Sequence, residues 1–447
     1  MSAVRGMQSR HLHLVETQYG PHMLVADGSR VYALDQTLQR DVEAAIAEGE
    51  AAVQQLLARF GLLPQRPYIG AEPLADPPLR SLSRAIAQRC NLGCSYCYAQ
   101  GGGFGGEEKA MPWPIAAASV RRLIEECPPG ERVVVGFLGG EPLTHRALLR
   151  QTTEYAAELA RQRGVSIGFA ITTNGTLLRA DDAPFFARHR FTVTVSLDGV
   201  GEVHDRLRPF KGGRGSYQAI LDRLAPLLRH RQHLPVLARV TVTPRNLGLR
   251  ETLDRLIALG FHSVGFSPML AAPNHTDELT GPDLQVLLDE MIACGREFER
   301  QVVAGRDYPF ANMISAMEEI HRGTHRPYPC GAGAGYFGVS ADGGLFACHR
   351  FVDDPAGALG HVASGVDREA QRRWLSERIV DRQDPCRSCW ARYLCGGGCH
   401  HEVIYRGRPA CDLIRGWLDY CLQAYVNLSE RRPDFFAAPA PSGIAPT

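Results

Sequence analysis

The stretch Cys90-Asn-Leu-Gly-Cys94-Ser-Tyr-Cys97-Tyr places three cysteines on one short loop with the spacing CxxxCxxC. Thiolates are the usual ligands of iron–sulfur clusters, so these three can bind three irons of a [4Fe–4S] cluster. The fourth iron then has no protein ligand, and a small molecule can chelate it and receive an electron. The spacing alone leaves two alternatives open, which are a zinc site and simple packing.

The composition indicates a soluble chain of about three domains. Of its 447 residues, 45% are hydrophobic and 22% are charged, which is enough for packed cores. Lys and Arg number 49 against 48 Asp and Glu, so no bulk charge favours nucleic acid or an anionic membrane. No apolar run is long enough to span a bilayer, and the segment MSAVRGMQSRHLHLVETQYG lacks a signal core. We therefore expect a cytoplasmic protein that binds neither nucleic acid nor membrane.

The cysteines are clustered along the sequence. There are 13 of them, and in a cytosolic chain of this size they indicate metal or cluster sites rather than disulfides. Besides the three at 90–97, eight fall between 330 and 421. Cys127 and Cys294 stand alone in helical patterns, and we interpret them as buried small side chains.

A small domain is predicted ahead of the cysteine loop. Residues 11–35 alternate in polarity around Asp27-Gly28, which indicates a hairpin turn, and residues 37–60 have a helical pattern. A Pro-rich stretch follows at 64–78. We place a domain at 1–63, a linker at 64–80 and, because its composition is rich in Pro and Ala, a flexible tail at 432–447.

Strands and helices alternate from residue 82 to about 320, which predicts an α/β fold. Its parallel sheet is either open or closed into a partial barrel. The strand candidates are 81–87, 133–140, 167–175, 191–199, 236–244 and 262–270, and the helix candidates are 114–126, 146–163, 216–230, 249–259 and 283–304. The working surface of such folds lies at the carboxyl ends of the strands. The cysteine loop follows the first strand and should lie at that end.

Small, polar and acidic residues follow the next three strands. They are Gly139-Gly140-Glu141-Pro142, Thr172-Thr173-Asn174-Gly175 and Ser196-Leu197-Asp198-Gly199. Each motif alone is typical of a turn. Together they place polar groups at successive strand ends beside the cysteine loop.

With these motifs in this order, residues 82–300 resemble the radical S-adenosylmethionine (SAM) enzymes. The resemblance implies a partial (β/α)6 barrel, here 81–310, in which Cys90, Cys94 and Cys97 bind the cluster and Tyr96 packs near adenine. It also implies that the turn of Gly139, Gly140, Glu141 and Pro142 receives the methionine amino group. By the same resemblance, the ribose and carboxylate of SAM would lie near Asn174, Ser196 and Asp198. Arg208 or Arg239 would pair with the methionine carboxylate.

A second cysteine pattern lies in the C-terminal part. CxxC followed by CxxxC is also typical of a zinc ribbon, although this many cysteines exceed one tetrahedral site. The positions match a SPASM domain, here 311–431: Cys330, Gly343, Cys348, Cys386, Cys389, Cys395 and Cys399. That resemblance implies two auxiliary [4Fe–4S] clusters, three in total. Cys330, Cys348 and Cys399 would bind the first, and Cys386, Cys389, Cys395 and Cys411 the second, with Cys421 as the alternative last ligand.

Three C-terminal segments resemble the maturases of quinohemoprotein amine dehydrogenases: 348–354, 386–403 and 410–425. The resemblance implies thioether bonds between Cys sulfurs and methylene carbons of Asp or Glu. The expected substrate is a precursor peptide or a small Cys-containing protein such as the amine dehydrogenase small subunit. A reductase, flavodoxin or ferredoxin would donate electrons. Residues 1–63 resemble a winged-helix peptide-recognition element, which binds a peptide by adding a strand to a sheet edge.

One residue departs from a related group. Anaerobic sulfatase maturases also resemble this chain, but they have an Asp directly after the equivalent of Cys348, where this chain has His349. This difference argues against formylglycine formation. Asp412 and His349 are candidates for the base, and a surface or supporting role for both stays open. The alternatives are a sulfatase-maturase-like enzyme, another radical crosslinking maturase, and a metal-stabilised scaffold without turnover.

Overall fold

The computed structural model describes residues 9–437 except 64–67, 69, 71, 231 and 324. It divides into two compact units. We call residues 74–283 and 331–375 the sheet unit, and the described residues up to Pro73 together with 284–330 and 376–437 the helical unit. The predicted tail from 438 onward lies outside the described residues, as do positions 64–67, 69 and 71 of the predicted linker.

The N-terminal part of the helical unit has the predicted strand and helix order. Strands β1 (Leu12–Thr17), β2 (Gly20–Val25) and β3 (Arg30–Ala33) form an antiparallel sheet. Two helices follow, α1 (Gln36–Glu48) and α2 (Glu50–Arg59). They separate at Gly49, whose φ of 112° is a conformation that glycine adopts easily. Leu12, Met23, Val42 and Leu57 form the buried core between sheet and helices.

The sheet unit confirms the predicted parallel sheet. Neighbouring strands follow the order β10-β9-β8-β7-β6-β4, and every adjacent pair is parallel. The two-residue strand β5 runs antiparallel to β4. The bounds are β4 Ser81–Gln88, β5 Lys109–Ala110, β6 Arg132–Gly139, β7 Ser166–Thr173, β8 Phe191–Ser196, β9 Val236–Val242 and β10 Ser263–Pro268.

Four further strands extend this sheet beyond β4. They are β11 (Tyr336–Val339), β12 (Gly344–Phe346), β13 (Ala358–His361) and β14 (Gly365–Val366). β11 pairs in parallel with β4, and the remaining strands continue antiparallel. Residues predicted to belong to a C-terminal domain therefore form one sheet with the strand that precedes the cysteine loop.

Helices pack against the sheet because its strands bury apolar side chains. In β6, Val133, Val135 and Phe137 are fully buried on one face, as the alternating pattern of a strand predicts. The helices of this part are α3 (Trp113–Glu125), α4 (Arg146–Arg163), α5 (Asp182–Arg188), α6 (Glu202–Leu207), α7 (Tyr217–Arg229) and α8 (Leu249–Ala258). The two short helices, α5 and α6, were not among those predicted from the sequence pattern.

Seven further helices lie in the described part of the chain between residues 281 and 437. They are α9 (Gly281–Val303), α10 (Ala311–Arg322), α11 (Arg368–Arg378), α12 (Arg392–Cys395), α13 (His400–Arg406), α14 (Cys411–Arg431) and α15 (Asp434–Ala437). Within the helical unit, His13 of β1 stacks on Trp390 with 3.8 Å between ring centroids. None of the helices in the described residues is both long and apolar enough to cross a bilayer.

Candidate active site

A cavity of about 240 Å³ lies in the sheet unit, lined by the strands and by the residues that follow their carboxyl ends. The structure brings the three loop cysteines, most of the predicted SAM-binding residues and His349 into its wall. These are Cys90, Cys94, Tyr96, Cys97, Gly139, Gly140, Asn174, Ser196, Arg208, Arg239 and His349. The three cysteines therefore share one cavity with the residues that resemble nucleoside-binding positions.

Two hydrogen-bond donors contact the sulfur of Cys90 in the cysteine loop. The Cys90 sulfur accepts from the Leu92 backbone N–H at 3.5 Å and from the Asn174 side-chain amide at 3.6 Å. Such bonds stabilise a thiolate and tune the potential of a cluster bound to it. Burial raises the pKa of Cys94 to about 12, so this thiol is protonated until a metal displaces the proton. The chemistry and the shared cavity of the three thiols fit an iron–sulfur cluster.

Glu141 is buried and holds two turns together. Its Oε1 accepts from the Leu143 N–H at 2.9 Å and from the Thr173 hydroxyl at 2.8 Å, and its Oε2 accepts from the Asn174 N–H at 2.7 Å. Burial raises the pKa of Glu141, and these hydrogen bonds oppose that shift. Neither Glu141 nor Pro142 lies in the cavity wall. Their contact with the methionine amino group stays a prediction, while Glu141 visibly positions the turn that carries the wall glycines.

The two glycines before Glu141 are required by close backbone approach. A Cβ added to Gly140 would lie 2.2 Å from the Arg89 carbonyl oxygen, and Gly139 has a φ of 132°. Any larger residue would push the turn away from the strand that leads into the cysteine loop.

Asp198 lies behind the cavity wall and holds two of the wall residues, Tyr96 and Arg208, in place. Its side chain is fully buried; its Oδ2 accepts from Arg208 Nε at 2.7 Å and from the Tyr96 hydroxyl, and its Oδ1 from the Thr241 N–H at 2.8 Å. Burial opposes the charge of Arg208, but the Asp198 carboxylate outweighs it and holds the pKa of Arg208 well above its usual value. Asp198 thus fixes Tyr96 and Arg208, and a direct contact with ribose stays a prediction.

His204 supports this network and was not singled out from the sequence. Its Nδ1 accepts from the Asp198 N–H at 3.2 Å, its Nε2 lies 3.0 Å from the Ser216 hydroxyl, and that hydroxyl donates to the Arg208 carbonyl at 2.6 Å. Burial lowers the pKa of His204 to about 4. The imidazole is therefore neutral at pH 7 and fixes the segment that joins Asp198 to Arg208.

Another part of the cavity wall is aromatic and basic, and consists of Tyr98, Tyr336, His349 and Arg350. Of these, His349 alone was predicted from the sequence. The His349 Nδ1 lies 2.6 Å from the Tyr336 hydroxyl. The Arg350 guanidinium carbon lies 5.7 Å from the centre of the Tyr98 ring. Burial raises the pKa of Tyr98, and the charges of Arg350 and Arg239 oppose that shift. The positions of Tyr98 and Arg350 next to predicted cluster ligands were the signal that could have identified them in the sequence. Tyr98 follows Cys97 directly, and Arg350 lies two residues after Cys348.

Four C-terminal cysteines lie near one another in the helical unit. Burial raises the pKa of Cys386 to about 11, Arg408 opposes the shift, and the nearby Cys395, Cys411 and Cys389 add to it. Cys421 is fully buried on α14, and burial together with Glu299 and Asp419 raises its pKa. The structure therefore groups Cys411, rather than Cys421, with the other three thiols.

The other C-terminal candidates are divided between the two units. Cys330 and Cys399 lie in the helical unit and Cys348 in the sheet unit, so their grouping around one cluster stays a prediction. The Asp412 side chain is 96% exposed and pairs with Arg415 at 2.5 Å. Across the described ranges, no three His, Cys, Asp or Glu side chains are arranged to hold a single metal ion.

Comparison with known proteins identifies the part of the chain that holds the cavity. Residues 85–234 match the sequence profile of the Radical SAM superfamily. This part of the chain has the radical SAM fold. The match confirms the cofactor class expected from the cysteine loop, a [4Fe–4S] cluster with SAM.

Relatives and solved structures extend the similarity beyond the radical SAM domain. A serine-type anaerobic sulfatase-maturating enzyme of Klebsiella aerogenes is 26% identical over 351 residues, which are 74% of this chain and 82% of the relative. The structure of anSMEcpe with bound AdoMet and Cp18Cys peptide matches with a TM-score of 0.63 at 20% identity, covering 79% of this chain and 99% of that one. SuiB of Streptococcus suis matches with a TM-score of 0.51 at 14% identity, covering 90% and 97%. These structural matches confirm the predicted radical SAM fold.

Proposed function

We propose that the chain is a radical SAM maturase that crosslinks a peptide or protein substrate. The bond would join a Cys sulfur to a methylene carbon of an Asp or Glu side chain, as in amine dehydrogenase small-subunit maturation. One observation supports this over formylglycine formation. Among the described residues, no Asp or Glu lines the cavity, and His349 stands in the wall where the sulfatase maturases have an Asp.

Cys90, Cys94 and Cys97 would hold the cluster, and Tyr96, Asn174, Ser196 and Arg239 would surround the SAM. When bound, these groups supply a 5′-deoxyadenosyl radical that removes a hydrogen atom from the substrate. Among the protein groups, Asp198 keeps Tyr96 and Arg208 in place through buried hydrogen bonds. Most of the wall side chains are partly or fully buried, so the protein limits the access of water to a reactive site.

The overall reaction removes two hydrogens for each bond formed. One leaves the methylene carbon as an atom, and the thiol loses a proton and an electron as sulfur joins carbon. We propose that the C-terminal cysteines would hold two auxiliary clusters, which would supply an acceptor for this electron or a binding position for the substrate thiol. His349, paired with the Tyr336 hydroxyl, lies in the cavity wall and is better placed for a proton transfer than the exposed Asp412.

The substrate would be a precursor peptide or a small Cys-containing protein. The peptide bound to anSMEcpe supports a polypeptide substrate for the shared fold. Within the described part of the chain, strand β3 pairs with β2 alone, and its Arg30, Tyr32 and Ala33 are exposed. We propose that a substrate segment adds to this edge, as in peptide-recognition elements. A reductase, flavodoxin or ferredoxin would supply the electrons.

Mass spectrometry of a candidate substrate after anaerobic reaction with dithionite and SAM tests the proposal. We expect a loss of two hydrogens per bond, together with a Cys that iodoacetamide no longer alkylates and no aldehyde that a hydrazide labels. A labelled aldehyde would instead support the second candidate function, formylglycine formation. That candidate is favoured by the 26% identity to a serine-type sulfatase-maturating enzyme.

A further inference from the structure

The second half of the cysteine loop packs against the segment that follows the last parallel strand. We call residues 269–280, which come directly after β10, the post-β10 segment. Its Met269 and Ala272 belong to a buried apolar cluster that includes Tyr96, and Cys94 packs against this cluster. The loop and the post-β10 segment both lie in the sheet unit. Apolar packing therefore brings two distant parts of this unit together.

A polar contact joins the same two parts of the chain. Asp277 is fully buried, and its Oδ2 accepts a hydrogen bond from the Ser95 hydroxyl at 2.6 Å. Ser95 lies between Cys94 and Tyr96 and is itself exposed. Hydrogen bonds to a carboxylate are about twice as strong as those between neutral groups. This bond can therefore hold an exposed loop residue against competition from water.

Other contacts fix the orientation of the Asp277 carboxylate. Its Oδ2 also accepts from the Asn274 side-chain amide at 2.8 Å, and its Oδ1 lies 3.2 Å from Arg245 Nε. Arg245 follows β9 and Asn274 follows β10, and these two strands are neighbours in the sheet. The sheet thus positions the carboxylate to which the loop is bound.

The first half of the loop is bound to different residues. The Asn91 side-chain amide donates to the Thr176 hydroxyl at 2.8 Å, and the Gly93 N–H donates to the Pro209 carbonyl at 2.8 Å. Both contacts precede Cys94 in the sequence. The part of the loop from Cys94 onward needs its own attachment, and the Ser95 bond supplies one at the adjacent residue.

We propose that Asp277 is a positioning residue for SAM cleavage. Through Ser95 it keeps Cys94 and Tyr96 in the places where they would hold the cluster and contact SAM. Neither Ser95 nor Asp277 lines the cavity, so the effect passes through the loop. The inference rests on the radical SAM part of the proposed function and not on the crosslinking reaction. A shift of about 1 Å in such a site can reduce a rate by about 100-fold.

The test combines two measurements on the full-length protein without oxygen. Hydrogen exchange across 91–100, measured before the cluster is added, reports the order of the loop, in which the Cys97 N–H donates to the Cys94 carbonyl at 3.3 Å. Equilibrium dialysis with labelled SAM, after reconstitution, reports affinity. Ser95→Ala and Asp277→Ala should each accelerate exchange and weaken SAM binding by about 10-fold, the lower value for a hydrogen bond to a charged group. Ser95→Thr keeps the hydroxyl and should behave as the wild type.

The double variant separates this role from a general loss of stability. Ser95→Ala combined with Asp277→Ala should have no larger effect than either change alone, because both remove the same bond. Asp182→Ala is the matched control, since Asp182 is a buried carboxylate of the same unit that pairs with Arg146. It should lower the free energy of unfolding and leave loop exchange and SAM affinity unchanged.

The inference is overturned if Ser95→Ala changes neither quantity, if the two effects add in the double variant, or if Asp182→Ala reproduces them. Ser95→Ala alters an exposed side chain, so it gives the result even where Asp277→Ala does not fold. A wild type that binds no SAM would contradict the radical function. Exchange across the loop, measured without SAM, would still test the bond between Ser95 and Asp277.

Discussion

The two cysteine-rich regions of this protein are built in different ways. The Cys90–Cys97 loop follows β4 in a broad parallel sheet, and its surroundings are fixed by buried residues far away in sequence. Glu141 ties the turns after β6 and β7 together, and Asp198 holds Tyr96 and Arg208. Hydrogen bonds between protein groups therefore connect the parts of this frame directly.

The segment from Cys386 to Cys411 has little framework of its own. Its helices, α12 and α13, have 4 and 7 residues, and Gly396, Gly397 and Gly398 are consecutive residues with φ of 71°, 99° and 81°. A small buried apolar cluster joins Cys386 and Tyr393 of this segment to Val380, which precedes it. Segments with so small a core usually depend on metals or disulfides for their order.

The difference suggests a division of roles. In the radical SAM domain the fold positions the cluster, so losing a ligand should remove activity and leave the structure intact. In the Cys386–Cys411 segment the cluster should position the fold, so losing a ligand should release the chain locally.

The largest expected effect is on catalysis in the first region. Cys94→Ala should reduce formation of 5′-deoxyadenosine to background, because two thiolates would be left to hold the cluster beside the cavity. The melting temperature of the iron-free protein should change little. Anaerobic assays with dithionite and thermal unfolding measure the two effects.

Cys127→Ala is the control for this variant, since Cys127 is a buried thiol of the same unit outside the cavity. It should keep SAM cleavage. Cleavage by Cys94→Ala at a rate close to that of the wild type would show that the loop does not hold the catalytic cluster.

The second largest effect concerns the order of the C-terminal segment. Cys411→Ala should lose about four of about twelve irons per chain, because Cys411 lies with Cys386, Cys389 and Cys395. Hydrogen exchange should become fast across 386–411 and remain slow in β6 and β7. Iron analysis and exchange by mass spectrometry measure these changes.

Cys421→Ala is the matched variant ten residues further along the same helix. It should keep all its iron, since Cys421 is buried away from the other thiols, and should cost about 1 kcal/mol of stability. The grouping of Cys411 would be wrong if the iron were lost from the Cys421 variant instead.

The third effect is a loss of stability in the framework of the first region. Asp198→Asn would leave the Arg208 guanidinium, with its side chain 12% exposed, without its counter-charge. Breaking a buried ion pair in this way typically costs about 3–5 kcal/mol. Denaturant unfolding of the iron-free protein should show the cost. Asp76→Asn, which removes a surface partner of Arg372, should leave stability nearly unchanged.

The sequence predicted the parallel sheet well because its strands have strong local patterns. The six strands were placed from alternating or continuous apolar runs, as in β6, and the cysteine loop was located correctly after β4. The sequence could not show which carboxylates face the cavity. Glu141 and Asp198 both follow strands, yet both turn inward to hydrogen bonds. Some of the donors are distant in sequence: Thr173 lies 32 positions from Glu141, and Thr241 lies 43 positions from Asp198.

The residues that the sequence analysis missed depend on long-range pairing. Arg350, Tyr336 and Tyr98 share one wall because β11 joins the sheet beside β4, with Tyr336 in register with Ser81. No local sequence pattern predicts pairing between strands that are so far apart in the chain. The same reason applies to the helical unit, where His13 of β1 stacks on Trp390, which lies far away in the sequence.

The smallest expected effect is a pH dependence of stability that belongs to the framework of the first region. His204 has a pKa of about 4 in the fold because of burial, against 6.5 for an exposed histidine. Between these values the unfolded chain binds the proton and the folded chain does not. The neutral His204 therefore lowers the free energy of unfolding at acidic pH only. The free energy of unfolding is unaffected above pH 6.5 and falls by about 3 kcal/mol in all as the pH decreases towards 4.

His204→Asn should reduce this dependence, because an amide can accept from the Asp198 N–H without titrating. The exposed His233 gives the control variant, His233→Asn, which should keep the slope of the wild type. Measuring unfolding of the iron-free protein from pH 4 to 7 separates this effect from cluster binding. An unchanged slope in His204→Asn would mean that the histidine is already solvated in the fold, and the network behind the cavity would then be looser than its hydrogen bonds indicate.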